Sequence, residues 1–325
     1  MTDALLIKTD ASGNTVWTKT FGGAGITDIE YFESVLQTSD GGYIAAGTNN
    51  TGTGSWAADF YLVKTDSAGN PTWSTHTGTA TYSIEYGHSI VQTTDGGYAV
   101  LGTSWNVDIY LVKTNSVGVP VWTQRFLNAG IGYSIEQTSD GGFIIAGTTL
   151  VGDEVCLIKT DSAGNPLWTK TFGDASEAFN EARSVKQTSD GGYVIASFTG
   201  GKYFAGNIYL TKTDPAGNIV WTKHYPASGD EKGYSVQQTA DGGYIIAGKT
   251  NSFGNGYNVY LIKTDSAGNI VWTKNFGGIG DDEGYSVWQT SDGGYVIVGD
   301  TYSFGAVNSD VYLIKTDANG NVAGY

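Results

Sequence analysis

Short apolar runs alternate with polar, glycine-rich turns, and the same order of runs recurs along the chain. One full unit, from Asp241 to Ser291, reads DGGYIIAGKTNSFGNGYNVYLIKTDSAGNIVWTKNFGGIGDDEGYSVWQTS. Strand A, YIIAGK, is short and almost wholly apolar, as a strand covered on both faces would be. Strand B, VYLIKT, is rich in β-branched and aromatic residues. DSAGN makes a tight turn into strand C, IVWTKNF. A longer loop leads to strand D, GYSVWQT, and SDGG turns back into the next strand A. Such short strands with Gly/Asp turns predict an antiparallel all-β array. Four-stranded units repeated four to eight times are the mark of a β-propeller.

The repeat is regular enough to count. Asp-Gly-Gly recurs at Asp40, Asp95, Asp140, Asp190, Asp241 and Asp292, at spacings of 55, 45, 50, 51 and 51. The strand C tryptophan recurs at Trp17, Trp73, Trp122, Trp168, Trp221 and Trp272. The Lys-Thr pair recurs seven times, at Lys8, Lys64, Lys113, Lys159, Lys212, Lys263 and Lys315. No linker separates the copies, so residues 1–325 read as one six-bladed propeller domain. Strand A is expected innermost, its glycine (Gly47, Gly102, Gly147, Gly248, Gly299; Ser197 in one copy) permitting close backbone approach. The chain starts in strand B and ends after A and B, with NVAGY where strand C should follow. The last blade is therefore expected to be closed by N- and C-terminal strands. Residues 4–9 and 311–316 compete for one slot, and the C-terminal copy is favoured because it follows its own strand A.

GYIIAG followed by VYLIKTDSAGNIVW resembles the kelch and PQQ-type propeller blade. The LIKTD-SAGN-VWTKTFGG-GDD stretch is closer still to the SBBP-type repeats of large bacterial and archaeal surface proteins. The resemblance covers nearly the whole chain and implies a fold, since such blades host many functions. It also implies an extracellular or cell-surface setting. MTDALLIKTD has no signal-peptide character, so in that setting the chain is expected to be a piece of a larger multidomain protein or a monomer.

Charge narrows the partners. The net charge is −15, which argues against nucleic acid and anionic membrane surfaces. No apolar run approaches the length of a membrane span. Cys156 is alone, so no intrachain disulfide forms.

Residues common to all copies belong to the scaffold: the Asp-Gly-Gly turns, the tryptophans between blades, and the lysines, whose stems pack on the sheet while the head pairs with a repeated Asp. Function is expected where copies differ. The variable A–B and C–D loops emerge on one face. They carry 17 acids against Lys202, Lys232 and Arg183, a net −14. Three readings stay open: a solvated acidic rim, a cation site, and a surface for a basic protein or a glycan. The cation candidates are Asp281, Asp282 and Glu283, with calcium the possible ion and no other cofactor implied. The ligand candidates are the loop aromatics Trp56, Trp105, Tyr203 and Phe204, with Asp174, Glu177, Asp230 and Glu231. Phe198, Lys249 and Asp300 depart from the threonine of Thr48, Thr103 and Thr148 and are expected to shape a pocket at the axis mouth. Trp288 is expected to pack between blades.

Nothing in the sequence marks an enzyme. His76 and His88 are expected in one mobile loop and have no metal-ligand spacing. There is no nucleophile elbow, Walker loop or CxxC. The arginine cluster of six-bladed sialidases cannot form from Arg125 and Arg183. The expectation is a non-enzymatic binding or scaffold module. A polysaccharide-acting glycosidase or lyase, built on paired acids of the loops, is the alternative, and a calcium-stabilised structural domain is another.

Overall fold

The computed structural model describes residues 3–22, 29–50, 58–77, 85–104, 108–127, 129–150, 153–173, 180–200, 206–226, 228–254, 256–305 and 308–322. Every element among them is a strand, and the fold is an all-β, six-bladed β-propeller of antiparallel blades. No helix of the described residues is long and apolar enough to cross a membrane.

An N-terminal hairpin pairs β1 (Ala4–Thr9) with β2 (Thr15–Phe21). The first complete blade holds β3 (Ile29–Gln37), β4 (Tyr43–Asn50), β5 (Ala58–Thr65) and β6 (Pro71–Thr77). The second holds β7 (Glu85–Gln92), β8 (Tyr98–Ser104), β9 (Ile109–Thr114) and β10 (Pro120–Phe126). The third holds β11 (Ile131–Gln137), β12 (Phe143–Thr148), β13 (Val155–Thr160) and β14 (Pro166–Phe172). Next come β15 (Asn180–Gln187), β16 (Tyr193–Thr199), β17 (Asn207–Thr213) and β18 (Ile219–Tyr225). The fifth holds β19 (Glu231–Gln238), β20 (Tyr244–Thr250), β21 (Asn258–Thr264) and β22 (Ile270–Phe276). The last sheet has three strands, β23 (Asp282–Gln289), β24 (Tyr295–Thr301) and β25 (Asp310–Thr316). The chain falls into two compact units. One comprises Met1–Val151 with Ile158–Thr169, the other Gly152–Leu157 with Lys170–Tyr325.

Two expectations need correction. First, each blade runs in the order D-A-B-C, so strand A is second and strand D forms the inner edge. Successive D strands are tied to each other: Ile90 N donates to Ser34 Oγ at 3.3 Å and Val236 N to Ser184 Oγ at 3.2 Å. Strand A is wholly buried in β8, β12 and β16, where it has strands on both edges and apolar layers on both faces, whereas strand C reads exposed at alternate residues. The strand A glycine serves the D–A pair. A Cβ on Gly47 would lie 1.9 Å from the Tyr31 carbonyl oxygen, beside the bulge at Phe32/Ser34. Second, the two extra B strands do not compete for one slot among the described residues. Strand β1 pairs with β2, and β25 pairs with β24.

The scaffold assignments hold. Strand C tryptophans pack against the first residue of the next strand A, with ring centroids 5.8 Å apart for Trp73–Tyr98, 5.9 Å for Trp221–Tyr244 and 5.8 Å for Trp272–Tyr295. The tryptophan also covers a turn glycine in the left-handed region: Gly69, at φ 79°, has Trp17 where a Cβ would point. The buried core in the second unit joins Ile208 and Leu210 of one blade to Val236, Tyr260 and Ile262 of the next. In the first unit Phe60 and Leu62 join Ile90, Tyr110 and Val112 in the same way. Glutamines at the end of strand D tie the blades at the turn end: Gln92 Oε1 accepts from Ser39 N at 2.9 Å, and Gln289 Oε1 from Ala240 N at 2.8 Å.

Candidate functional site

The six strand-D starts carry an acid in four blades: Glu30, Glu85, Glu231 and Asp282, all buried. Glu231 Oε1 accepts from Thr250 Oγ1 at 2.9 Å and from Ser252 Oγ at 2.5 Å. Asp282 takes Ser303 Oγ at 2.6 Å, Gly278 N at 2.9 Å and the Thr301 hydroxyl. These carboxylates lock strand D to the end of strand A. Asp108 and Glu181 are buried as well, paired with Arg125 and Arg183. The acidic face is thus thinner than a charge count suggests, and Glu231 is a structural residue.

Asp281, Asp282 and Glu283 do not converge. Asp281 Oδ1 accepts from Tyr257 N at 2.9 Å, Asp282 is turned inward as above, and Glu283 meets Lys249 at 2.6 Å. Strand alternation in β23 sends neighbouring side chains to opposite faces. Among the described residues no group of three His, Cys, Asp or Glu is disposed to hold a metal ion. The histidines are not in a mobile loop. His76 lies in β6 and stacks on Tyr61 at 4.9 Å. His88 lies in β7, with Nδ1 2.7 Å from Glu33 Oε2. His224 stacks on Tyr209 at 4.8 Å. Trp56, Trp105, Tyr203, Phe204, Asp174 and Glu177 lie outside the described residues. Trp288 is 57% exposed rather than packed between blades, with Lys186 Nζ 5.9 Å from its ring.

The residues that depart from threonine after strand A do come together with strand D side chains in the second unit. Where the threonine is kept it is scaffold: Thr48 Oγ1 accepts from Gly87 N and Thr103 Oγ1 from Gly132 N, both at 3.2 Å. Lys249 replaces it and reaches Glu283 Oε1 at 2.6 Å, with its ammonium 4.1 Å from the Tyr257 ring. Tyr257 in turn donates to Asp230 Oδ2 at 2.7 Å. Asp230 Oδ1 accepts from Gly206 N at 2.6 Å. Tyr234 donates to Glu283 Oε2 at 3.3 Å and meets Phe198 edge-on at 6.1 Å and Tyr285 at 5.6 Å. Lys232 Nζ lies 5.2 Å from the Phe198 centroid.

Electrostatics follow from this crowding. Burial, then the Glu283 charge, raises Asp300 above the ordinary carboxylate range, against a hydrogen bond from Tyr285. Asp300 Oδ1 is buried with no hydrogen-bond partner among the described residues. Burial, then Glu283 and Asp300, raises the Tyr285 phenol, and burial with Glu283 raises Tyr234, so both stay neutral donors. Tyr285 remains 48% exposed. The cluster therefore offers an open aromatic face ringed by a cation, two carboxyls and phenolic hydroxyls. Phe198, Lys249 and Asp300 are among the candidates read from the sequence, and Tyr234 and Tyr285 are not. Their signal was available, because the fourth strand-D position also varies between copies: Glu33, His88, Tyr133, Arg183, Tyr234 and Tyr285.

This is a β-propeller with a copy-specific cluster beside its inner strands. No family model and no curated protein matches the chain. Solved structures do. A protein of unknown function from Bacteroides caccae superposes with a TM-score of 0.52 at 14% identity, covering 84% of this chain and 93% of that one. The Pan2 WD40 domain of Neurospora crassa gives 0.52 at 13% identity, covering 88% and 79%. The NanB sialidase of Streptococcus pneumoniae gives 0.54 at 12% identity, covering 92% and 70%. Likeness at this identity is likeness of fold.

Proposed function

We infer that the chain is a non-enzymatic binding module of a surface or secreted protein, and that it recognises a polyhydroxylated glycan through the cluster around Tyr285. The carrying observation is the exposed Tyr285 ring beside Glu283, Asp300 and Lys249. A sugar ring presents an apolar face and a rim of hydroxyls. Aromatic stacking takes the first, and carboxylate acceptors with an ammonium donor take the second. A polysaccharide microarray tests this reading. The wild-type chain should bind, and Tyr285→Ala should weaken binding about tenfold or more. An empty array, or Tyr285→Ala binding as wild type, would contradict it.

One observation favours a second reading, a polysaccharide-cleaving enzyme. Glu283 and Asp300 share Tyr285, and burial, then the Glu283 charge, raises Asp300, as suits a general acid beside a second carboxyl. Cleavage of any panel polysaccharide that Asp300→Asn abolishes would support it. Binding without cleavage supports the first reading.

A further inference from the structure

Two rows of side chains cross the inner-edge strands of the second unit. Val236 N donates to Ser184 Oγ at 3.2 Å and Val287 N to Ser235 Oγ at 3.3 Å, so β15, β19 and β23 advance in step. Arg183, Tyr234 and Tyr285 form one row. Three residues on in each strand come Lys186, Gln237 and Trp288. That position differs in every copy, reading Leu36, Val91, Glu136, Lys186, Gln237 and Trp288, whereas the next residue is glutamine in all six. A position that the scaffold does not fix is open to use by a ligand. Lys186 Nζ lies 5.9 Å from the Trp288 ring, although the blade of β19 stands between β15 and β23. Both side chains therefore leave their own sheets for the same space beside Gln237, and the indole stays exposed there.

The cations of the chain are distributed in a telling way. Of its 17 Lys and Arg, seven are the Lys-Thr lysines and four are the strand C lysines Lys19, Lys170, Lys223 and Lys274, which leaves six outside the repeat. Arg125 is paired with Asp108 in the first unit, and Lys202 lies outside the described residues. The other four, Arg183, Lys186, Lys232 and Lys249, all lie on β15, β19 and β20. Glu181 answers Arg183, and Glu283 answers Lys249. Among the described residues Lys186 and Lys232 form no salt bridge. Their ammoniums lie beside rings instead, Lys232 at 5.2 Å from Phe198. In a chain of net charge −15, copy-specific cations gathered on the inner strands select for an anion.

Resting on the glycan reading above, we propose that the ligand is an acidic polysaccharide. One sugar stacks on Tyr285, and an anionic sugar further along the same chain stacks on Trp288, with its carboxylate or sulfate held by Lys186. Tyr285 and Trp288 are three residues apart in β23, about 10 Å at the rise of a strand, too far for one sugar ring to cover both. The ligand is therefore an oligomer. The face of the anionic sugar lies on the indole while the charged group at its rim reaches the ammonium.

The test titrates the full chain onto immobilised alginate, polygalacturonate and hyaluronate, each beside its carboxyl-reduced neutral form, with dextran sulfate and polyglutamate alongside. Wild type should bind an acidic polysaccharide about tenfold or more tighter than the neutral form. Lys186→Gln should bring that ratio close to one, and Lys186→Arg should keep it. Trp288→Ala should weaken binding of the acidic polymer about tenfold. Lys223→Gln removes the same charge from a strand C lysine and should leave the ratio as in wild type. Binding of dextran sulfate alone, lost in Lys186→Gln, supports the proposal and names sulfate as the anion. Neutral forms bound as tightly as the acids, with Tyr285→Ala weakening both, overturn the proposal and leave the glycan reading standing. Binding of no polysaccharide overturns both. A wild-type ratio in Lys186→Gln, or polyglutamate bound as tightly as the best polysaccharide, also overturns the proposal.

Discussion

Lys263 Nζ stands 2.8 Å from Asp241 Oδ2, joining the Asp-Gly-Gly turn to the end of strand B in the same blade. The lysine side chain is only 5% exposed and the aspartate 64%. Nζ also donates to the Thr264 carbonyl at 2.8 Å, and Asp241 Oδ1 accepts from Thr239 Oγ1 at 2.5 Å and Gly243 N at 3.0 Å. The pair is therefore asymmetric: its cation is enclosed and its anion is wet. Removing the anion leaves a buried charge, whereas removing the cation leaves a solvated one. Asp241→Ala should destabilise by about 2–3 kcal/mol and Lys263→Met by about 1 kcal/mol, read as urea midpoints. Equal costs, or the reverse order, would refute the asymmetry.

Acid should unfold the chain through these turns. Burial works to raise Asp95, Asp140, Asp190 and Asp241, but hydrogen bonds from the preceding threonine, the lysine and a glycine N–H outweigh it and hold all four at about 2. In the unfolded chain they protonate at about 3.9. The unfolded state thus binds protons first as pH falls, so the stabilisation is complete above about pH 4 and lost as pH drops through about 2. The urea midpoint should fall most steeply in that window, and Asp190→Asn should flatten the slope. A midpoint independent of pH between 5 and 2 would contradict this.

Cys156 is enclosed in β13, and burial raises its thiol to about 11. A buried thiol with little thiolate is a poor nucleophile. The native chain should resist a thiol-specific chromogenic disulfide at pH 8 and react fully in denaturant. Fast reaction of the native chain would show that β13 opens.

The blade was legible in the sequence because its parts recur with their partners: Lys64 with Asp40, Trp73 two strands before Tyr98. The order within the blade was misread at YIIAGK. Complete apolarity suggested the innermost strand, yet full burial belongs to a strand with neighbours on both edges and both faces. The inner edge keeps polar side chains, and GYSVQQT shows that half-buried alternation. Glu231 and Asp282 were misread for a related reason. A formal charge says nothing of depth, but a carboxylate recurring at Glu30, Glu85, Glu231 and Asp282 is itself a scaffold signal. Conversely, Tyr234 and Tyr285 differ from their counterparts Glu33 and His88 and belonged with the variable set. The fit of Lys249 to Glu283 joins residues in different blades, a distance no repeat spacing encodes.

The central claim is that function sits where copies depart from the repeat. Lys249→Thr with Asp300→Thr returns both positions to the residue of Thr48, Thr103 and Thr148 and leaves the scaffold turns untouched. The decisive measurement is the polysaccharide microarray profile of this double variant beside wild type, with melting temperatures recorded for both. The account predicts a similar melting temperature and loss of the wild-type signals. A folded double variant that binds the same polysaccharides with the same intensity would contradict it.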